Sequence, residues 1–201
     1  MSESFSSNAD VQKIAELYAL DAIDFARANF KLELDWTDGS VAHIESMLAV
    51  FHEQKAAVQP TDEQVLLFSK MFGSYVGEVF RRNHGARWGM VSLHGNTFPG
   101  LAADGEAGLF WPWGRAQNRI NNGPEDNVWH YYQLLVRRNA VAKSSGSFSI
   151  FERVRHPVFG EGIVNELGGE GDDARVKVVF TGGEVKWLAV KYAKLKSIYK
   201  Q

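Results

Sequence analysis

Five short β-forming runs crowd into the last fifty residues, and no other feature of the chain restricts its fold as strongly. "FERVRH", "GIVNEL", "ARVKVVF", "EVKWLAV" and "KLKSI" follow one another with glycine-bearing turns between the middle three. "TGGE", with two central glycines, is the connection expected of a tight hairpin between the third and fourth runs. "GGEGDD" joins the second to the third. Strands this short can hide their unpaired edges only by curling the sheet into a small barrel. The glycines themselves are turn formers, since glycine adopts positive φ without steric cost. A phosphate cradle would need converging amides at a helix N-terminus, whereas strand formers follow here and Glu161, Glu170, Asp172 and Asp173 would repel the anion.

The first 140 residues have another character. Val11, Ile14, Ala15, Tyr18, Ala22 and Phe25 recur at three- and four-residue steps, which predicts a helix from Ala9 towards Phe30. "FKLELDW" switches to period two and predicts a short half-buried strand. Ser40 is placed to cap a second helix with Ile44, Met47, Leu48 and Phe51 on its inner face. Thr61 and Gln64 have capping-box spacing ahead of a long helix that ends at Gly85. Gly73 and Gly77 each weaken that helix, so another element is expected to approach closely there. "RWGMVSL" and "GLFWPW" predict strands joined by an irregular stretch, and "GRAQNRI" and "NVWHYYQLLVRR" predict further helices. The expected fold is therefore an α+β domain over residues 1–140, a serine- and glycine-containing linker over 141–150, and an all-β five-stranded barrel over 151–201.

Several chemistries are excluded by composition. The chain has no cysteine, which removes disulfides, thiolate metal sites and thiol nucleophiles. It has no G-x-x-x-x-G-K-[ST] phosphate loop. His52 opens a metalloprotease-like "HEQKA", but Ala56 stands where the second ligand belongs. "GSYVG" is not a nucleophile elbow. No catalytic residue, cofactor, metal or small-molecule substrate is expected. "MSESFSSNAD" lacks the pattern of a signal peptide and no window approaches a membrane span, so a cytoplasmic protein is expected.

The C-terminal segment also carries a resemblance. His156, Phe159-Gly160-Glu161-Gly162, Val164, Phe180, Gly183, Lys186, Leu188 and Tyr192-Ala193-Lys194-Leu195 resemble the Tudor-like (SH3-like) module at the C-terminus of UvrD/PcrA-type superfamily-1 DNA helicases. Phe151-Glu152 departs from it, where those modules tend to carry glycine. The resemblance implies a docking module that binds RNA polymerase and related partners, with Lys186 matching a lysine that helps contact the polymerase. It does not bring the helicase motor, for which the phosphate loop is missing. "FGSYVGEVFRRNHGARW" and "GRAQNRINNGPEDNVWHYY" more loosely resemble an uncharacterised bacterial domain, some of whose relatives sit near toxin–immunity genes.

Charge and aromatic content point to candidate binding residues. Residues 151–201 hold 9 Lys+Arg against 7 Asp+Glu, whereas residues 1–150 hold 13 against 17. Arg155, Lys177 and Lys186 are the candidate partner contacts on the barrel. In "EVKWLAV", Lys186 points outward and Trp187 inward, or the reverse if the strand bulges. Phe159, Phe180, Trp187 and Tyr192 are expected to fill the interior. In the first domain, "FWPWGRAQNR" offers Trp111 and Arg115, which could stack on bases, anchor a partner, or belong to a core strand running into a helix whose arginines pair with nearby acids. The expected function is a non-enzymatic adaptor docking on a large protein of the transcription or DNA-repair machinery. An immunity-type protein acting on a co-encoded effector is the alternative, and nucleic-acid binding ranks below both.

Overall fold

The computed structural model describes residues 4–93, 95–103, 108–144, 148, 150–169 and 173–198. The fold class is α+β, as expected, and the chain divides into two compact units after Val136.

In the first unit, β1 (Ser4–Ser7) precedes α1 (Ala9–Phe25), whose N-terminus is capped by the Asn8 side chain. A π-helical turn, Ala26–Phe30, extends α1. Ala15, Ala19, Ala22 and Ala26 are fully buried on one face of this helix, and side chains this small let it lie close to α3 (Asp62–His84). The Thr61/Gln64 capping box that starts α3 has both of its hydrogen bonds. α2 (Val41–Val58) buries Ile44, Met47 and Leu48. Ser40 does not cap it. Its hydroxyl donates instead to the Thr37 carbonyl and shares a hydrogen bond with the Tyr75 hydroxyl. Phe25, Phe30, Phe51, Phe68 and Phe72 form one aromatic cluster, with ring centroids as close as 4.5 Å.

β2 (Ala86–Leu93), β3 (Asn96–Ala103) and β4 (Leu109–Phe110) complete an antiparallel sheet ordered β1-β2-β3-β4. β3 occupies the stretch expected to be irregular. Pro99 disguised it, yet β4 pairs only with Leu101 and Ala102. Pro99 therefore sits where β3 has an open edge, the place proline is tolerated. "FKLELDW" supplies no strand. Leu34 is buried as period two required, but Lys31 and Trp36 both take positive φ and the segment joins no ladder.

The two helix glycines mark close approaches. A Cβ at Gly77 would lie 2.4 Å from the Trp88 indole, and one at Gly73 would lie 2.6 Å from the Pro112 carbonyl oxygen at the start of α4 (Pro112–Asn122). Helix propensity alone makes alanine better than glycine by about 1 kcal/mol. At Gly73 the obstruction is backbone and cannot rotate away, so Gly73→Ala is expected to destabilise the protein by about 1–3 kcal/mol. A urea midpoint that rises in this variant would contradict the packing.

A polar network fixes the turn at Trp36. Asp38 accepts hydrogen bonds from the Tyr132 hydroxyl (2.6 Å), from Asn83 and from His84 Nε2. Asn83 also holds the Trp36 carbonyl, while the Arg82 guanidinium lies 3.6 Å over the Trp36 ring. Burial pushes the Asp38 carboxyl up, but the bonds from Tyr132, Asn83 and His84 together outweigh it and hold the group below the usual aspartate range. Burial and the adjacent Asp38 push the Tyr132 phenol up. A depressed folded pKa means stability that is present above the unfolded value of about 3.9 and lost as pH falls through the folded one. Wild type is thus expected to exceed Asp38→Asn in melting temperature near neutrality, with the gap closing in acid. A gap that stays constant down to the acid limit would contradict this.

α5 (Val128–Ser144) begins in the first unit, with the Asn127 side chain at its start, and ends in the second. Residues 141–144, the start of the expected linker, are helical. In the second unit, β5 (Arg153–His156), β6 (Gly160–Gly168), β7 (Arg175–Phe180), β8 (Val185–Ala189) and β9 (Lys196–Ser197) form an antiparallel sheet ordered β8-β7-β6-β5-β9. The Thr181–Glu184 turn closes the β7–β8 hairpin, with Gly183 at φ +84. Val154, Val164, Val176, Val178 and Phe180 make the core, and both Leu188 from one edge strand and Leu195 beside the other pack against it. The sheet thus bends round one core. It is not the closed barrel expected from the sequence: no ladder joins β8 to β9 among the described residues. The short helix α6 (Val190–Ala193) and Lys194, at φ +48, carry the chain away from β8 before the two-residue β9 pairs with β5.

Candidate docking surface

Alternation decides which side chains of the second unit meet water. On β7, Val176, Val178 and Phe180 point to the core, so Arg175, Lys177 and Val179 face outward. On β6 a bulge at Asn165 shifts the register between Val164 and Glu166. The extra residue lets Val164 and Leu167 both face inward while Ile163 and Glu166 face out. On β8, Leu188 joins the core and fixes the phase: Val185, Trp187 and Ala189 are outward, and Lys186 shares the inner face.

The outer face that results is apolar in register. Arg153, Ile163, Val179 and Val185 stand opposite one another across four strands. Glu166, Lys177 and Trp187 form the next row. Ile163, Val179, Val185 and Trp187 are 44, 37, 53 and 46% exposed, so a row of three aliphatic side chains and an indole is left to solvent. The Trp187 ring leans towards Gly168, where a Cβ would come within 3.3 Å of it, and Lys177 Nζ lies 5.7 Å from the ring centre. Lys177 also pairs with Glu166 at 3.0 Å. Arg153 ends the aliphatic row on β5, Arg155 stands two residues further along the same strand, and both approach Glu161. The Arg155 guanidinium holds the Glu161 carboxyl below the usual range.

The expected site residues fall in different places. Arg155 and Lys177 lie on this outer face. Lys186 does not: its ammonium sits 4.7 Å over the Phe159 ring and 3.6 Å from Glu184, at the rim of the inner face. Its outward placement is corrected by the unbroken β7–β8 register, which ties its phase to Leu188. Trp187 and Tyr192, expected inside, are instead 46 and 75% exposed, while Phe159 and Phe180 do pack in the core. Trp111 and Arg115 belong to the other unit. Trp111 packs edge-on against Phe98 and, with Pro99 and Trp113, lines an open cleft of about 420 Å³. Arg115, on α4, is engaged by Asp126 at 2.7 Å and lies over the Tyr131 ring, as in a helix whose arginines pair with nearby acids. Sequence reasoning missed the Ile163–Val179–Val185 row. Its signal was the run of consecutive aliphatics in "RVKVVF", where a sheet with one solvated face should alternate with polar residues.

His52 and His156 are bound into local structure. His156 Nδ1 accepts the amides of Val158 and Phe159, closing the first turn of the sheet, and His52 Nδ1 bonds the Ile120 carbonyl. His94, which the sequence could pair with His84 across a hairpin, lies outside the described residues. No helix among the described residues is long and apolar enough to cross a membrane.

A 58-residue stretch of the chain is similar to part of DNA helicase II, with 40% identity to the Salmonella typhimurium protein and 36% to that of Escherichia coli. The stretch is 29% of this chain and 8% of each helicase, so the chain shares less than a tenth of the helicases' length. The chain thus carries a helicase-like segment, in agreement with the resemblance of its C-terminal strands. No family model matches. A crystal structure from Bacteroides thetaiotaomicron aligns with 66% of this chain and 47% of its own, at a TM-score of 0.48 and 11% identity. The helicase matches do not bear on the immunity-type resemblance of the first 140 residues.

Proposed function

We propose that the chain is a non-enzymatic interaction protein whose C-terminal unit docks on a protein of the transcription or DNA-repair machinery, RNA polymerase first among them. The observation that carries the reading is the outer face of the sheet, where Ile163, Val179, Val185 and Trp187 stand exposed in two adjacent rows. Tryptophan and arginine are residue types enriched in interface hot spots, and this face carries both, Trp187 on β8 and Arg153 and Arg155 on β5. The similarity to a segment of DNA helicase II supports a partner in the helicase's own setting, and the missing phosphate loop separates the segment from the motor. Trp187 is the apolar anchor; Lys177, Arg153 and Arg155 supply positive charge around it, and Lys186 adds to it from the rim.

Co-purification of RNA polymerase on tagged full-length chain tests the proposal. Wild type is expected to retain polymerase and Trp187→Ala to lose it, with retention weakening as salt rises because cations steer the encounter. Equal recovery by both would overturn the anchor. Retention of bulk DNA alone, abolished by moderate salt, would point to nucleic-acid binding instead.

A further inference from the structure

The first unit contains an apolar cavity that the docking function does not use. It has a volume of about 120 Å³ and lies between the end of α2, the start of α3 and α4, with Phe51, Val58, Val65, Phe68 and Ile120 in its wall. Phe51 and Phe68 are 4.5 Å apart, with Phe72 packed behind them. Val58, at the lip, is 67% exposed, so the apolar surface continues out of the cavity into water. Its volume is of the order of the about 150 Å³ of the best-known engineered apolar cavity, which accepts a benzene-sized guest.

The mouth has a polarity of its own. Lys55 lines both this cavity and an adjoining open one of about 480 Å³ that also includes His52 and Gln59. Neither lining contains an aspartate or glutamate. The Lys55 ammonium donates to Asn121 Oδ1 at 2.7 Å, which holds it at the mouth and leaves two of its three N–H groups for a ligand. His52 is committed to the Ile120 carbonyl, and its Nε2 packs where a Gly123 side chain would stand. The C-terminal end of α2 and the N-terminal end of α3 both border the cavity, so their opposite helix fields offset. The charge of Lys55 then decides the sign of the ligand.

We propose that this cavity binds a small apolar carboxylate, with an aromatic ring or short branched alkyl group among Phe51, Val65, Phe68 and Ile120 and the carboxylate on Lys55. Mostly apolar walls with a few polar groups are the usual form of a small-molecule site; here those groups are Gln54, Gln64 and Lys55, with Gln64 already holding the Thr61 amide.

Benzoate, toluene and benzylamine titrated into the isotope-labelled full chain, read by methyl NMR, test the assignment. Benzoate in the millimolar range is expected to give saturable shifts at the methyls of Val58, Val65 and Ile120, and benzylamine to bind more weakly. Lys55→Met, a change at the surface, is expected to weaken benzoate about tenfold while leaving toluene binding as it is. No saturable shift at these methyls up to tens of millimolar benzoate would overturn the site. So would benzoate binding that Lys55→Met leaves unchanged, or toluene binding with no benzoate binding.

Discussion

Glu78→Ala is expected to destabilise the protein by about 3–5 kcal/mol, the range for stripping one partner from a buried ionic network. Glu78 is wholly buried in α3 and uses both oxygens. Oε1 accepts from Arg81 Nε and Trp88 Nε1, each at 2.8 Å, and Oε2 from Arg81 Nη2 at 2.9 Å and Arg82 Nε at 3.3 Å. Arg81 reaches on to Glu16 of α1 at 3.1 Å. One carboxylate thus ties the helix pair to β2. Its removal leaves the buried Trp88 N–H without an acceptor, and an unmet buried donor carries the full desolvation penalty. The lost carboxylate also leaves space beside an indole already pressed on Gly77. Glu78→Gln keeps the shape but aims an amide N–H₂ at donors, so an intermediate loss is expected. The check is the urea midpoint at unchanged slope. A loss below about 1 kcal/mol would place Glu78 among ordinary surface pairs.

Trp187→Ala is expected to act in the opposite manner, more on binding than on folding. The ring is about half exposed and stands outside the Val154–Phe180 core, so truncation costs the area it buries against Gly168 and Lys177 but opens no cavity in that core. As the anchor of the docking face it is expected to weaken binding by at least about 2 kcal/mol, or roughly thirtyfold. Leu188→Ala, one residue on, is the contrasting case: that side chain packs on the core, so both stability and binding should fall.

Much of the architecture was legible in the chain. The Thr61/Gln64 box, the close approaches at Gly73 and Gly77 and the TGGE hairpin each rest on local chemistry that sequence spacing expresses directly. The failures were those in which tertiary context chose between local options. "FKLELDW" has a strand's alternation, but among the described residues no strand pairs with it and Lys31 takes the left-handed conformation after the π-turn. β3 was hidden because an open edge at Pro99 is a property of the sheet rather than of the strand. Burial of Glu78 depends on Trp88 arriving from the following hairpin. The sheet's failure to close depends on α6, a single turn that strand patterning read through.

The candidate site was half legible for the same reason. Its cations, Arg155 and Lys177, could be read from charge alone. The facing of Trp187 could not, because a two-residue period allows either phase and only the contact of Leu188 with the core selects one. The apolar row in front of β8 then follows, and Lys186 moves from the centre of the expected site to its rim.

The most direct measurement is the affinity of purified RNA polymerase for immobilised full-length chain, compared between wild type and Trp187→Ala, with melting temperatures recorded for both. Saturable binding that falls at least about thirtyfold in the variant, measured at a temperature where both proteins are fully folded, is the result expected of a docking face anchored by this indole. Equal affinities, or no saturable binding by the wild type, would contradict it.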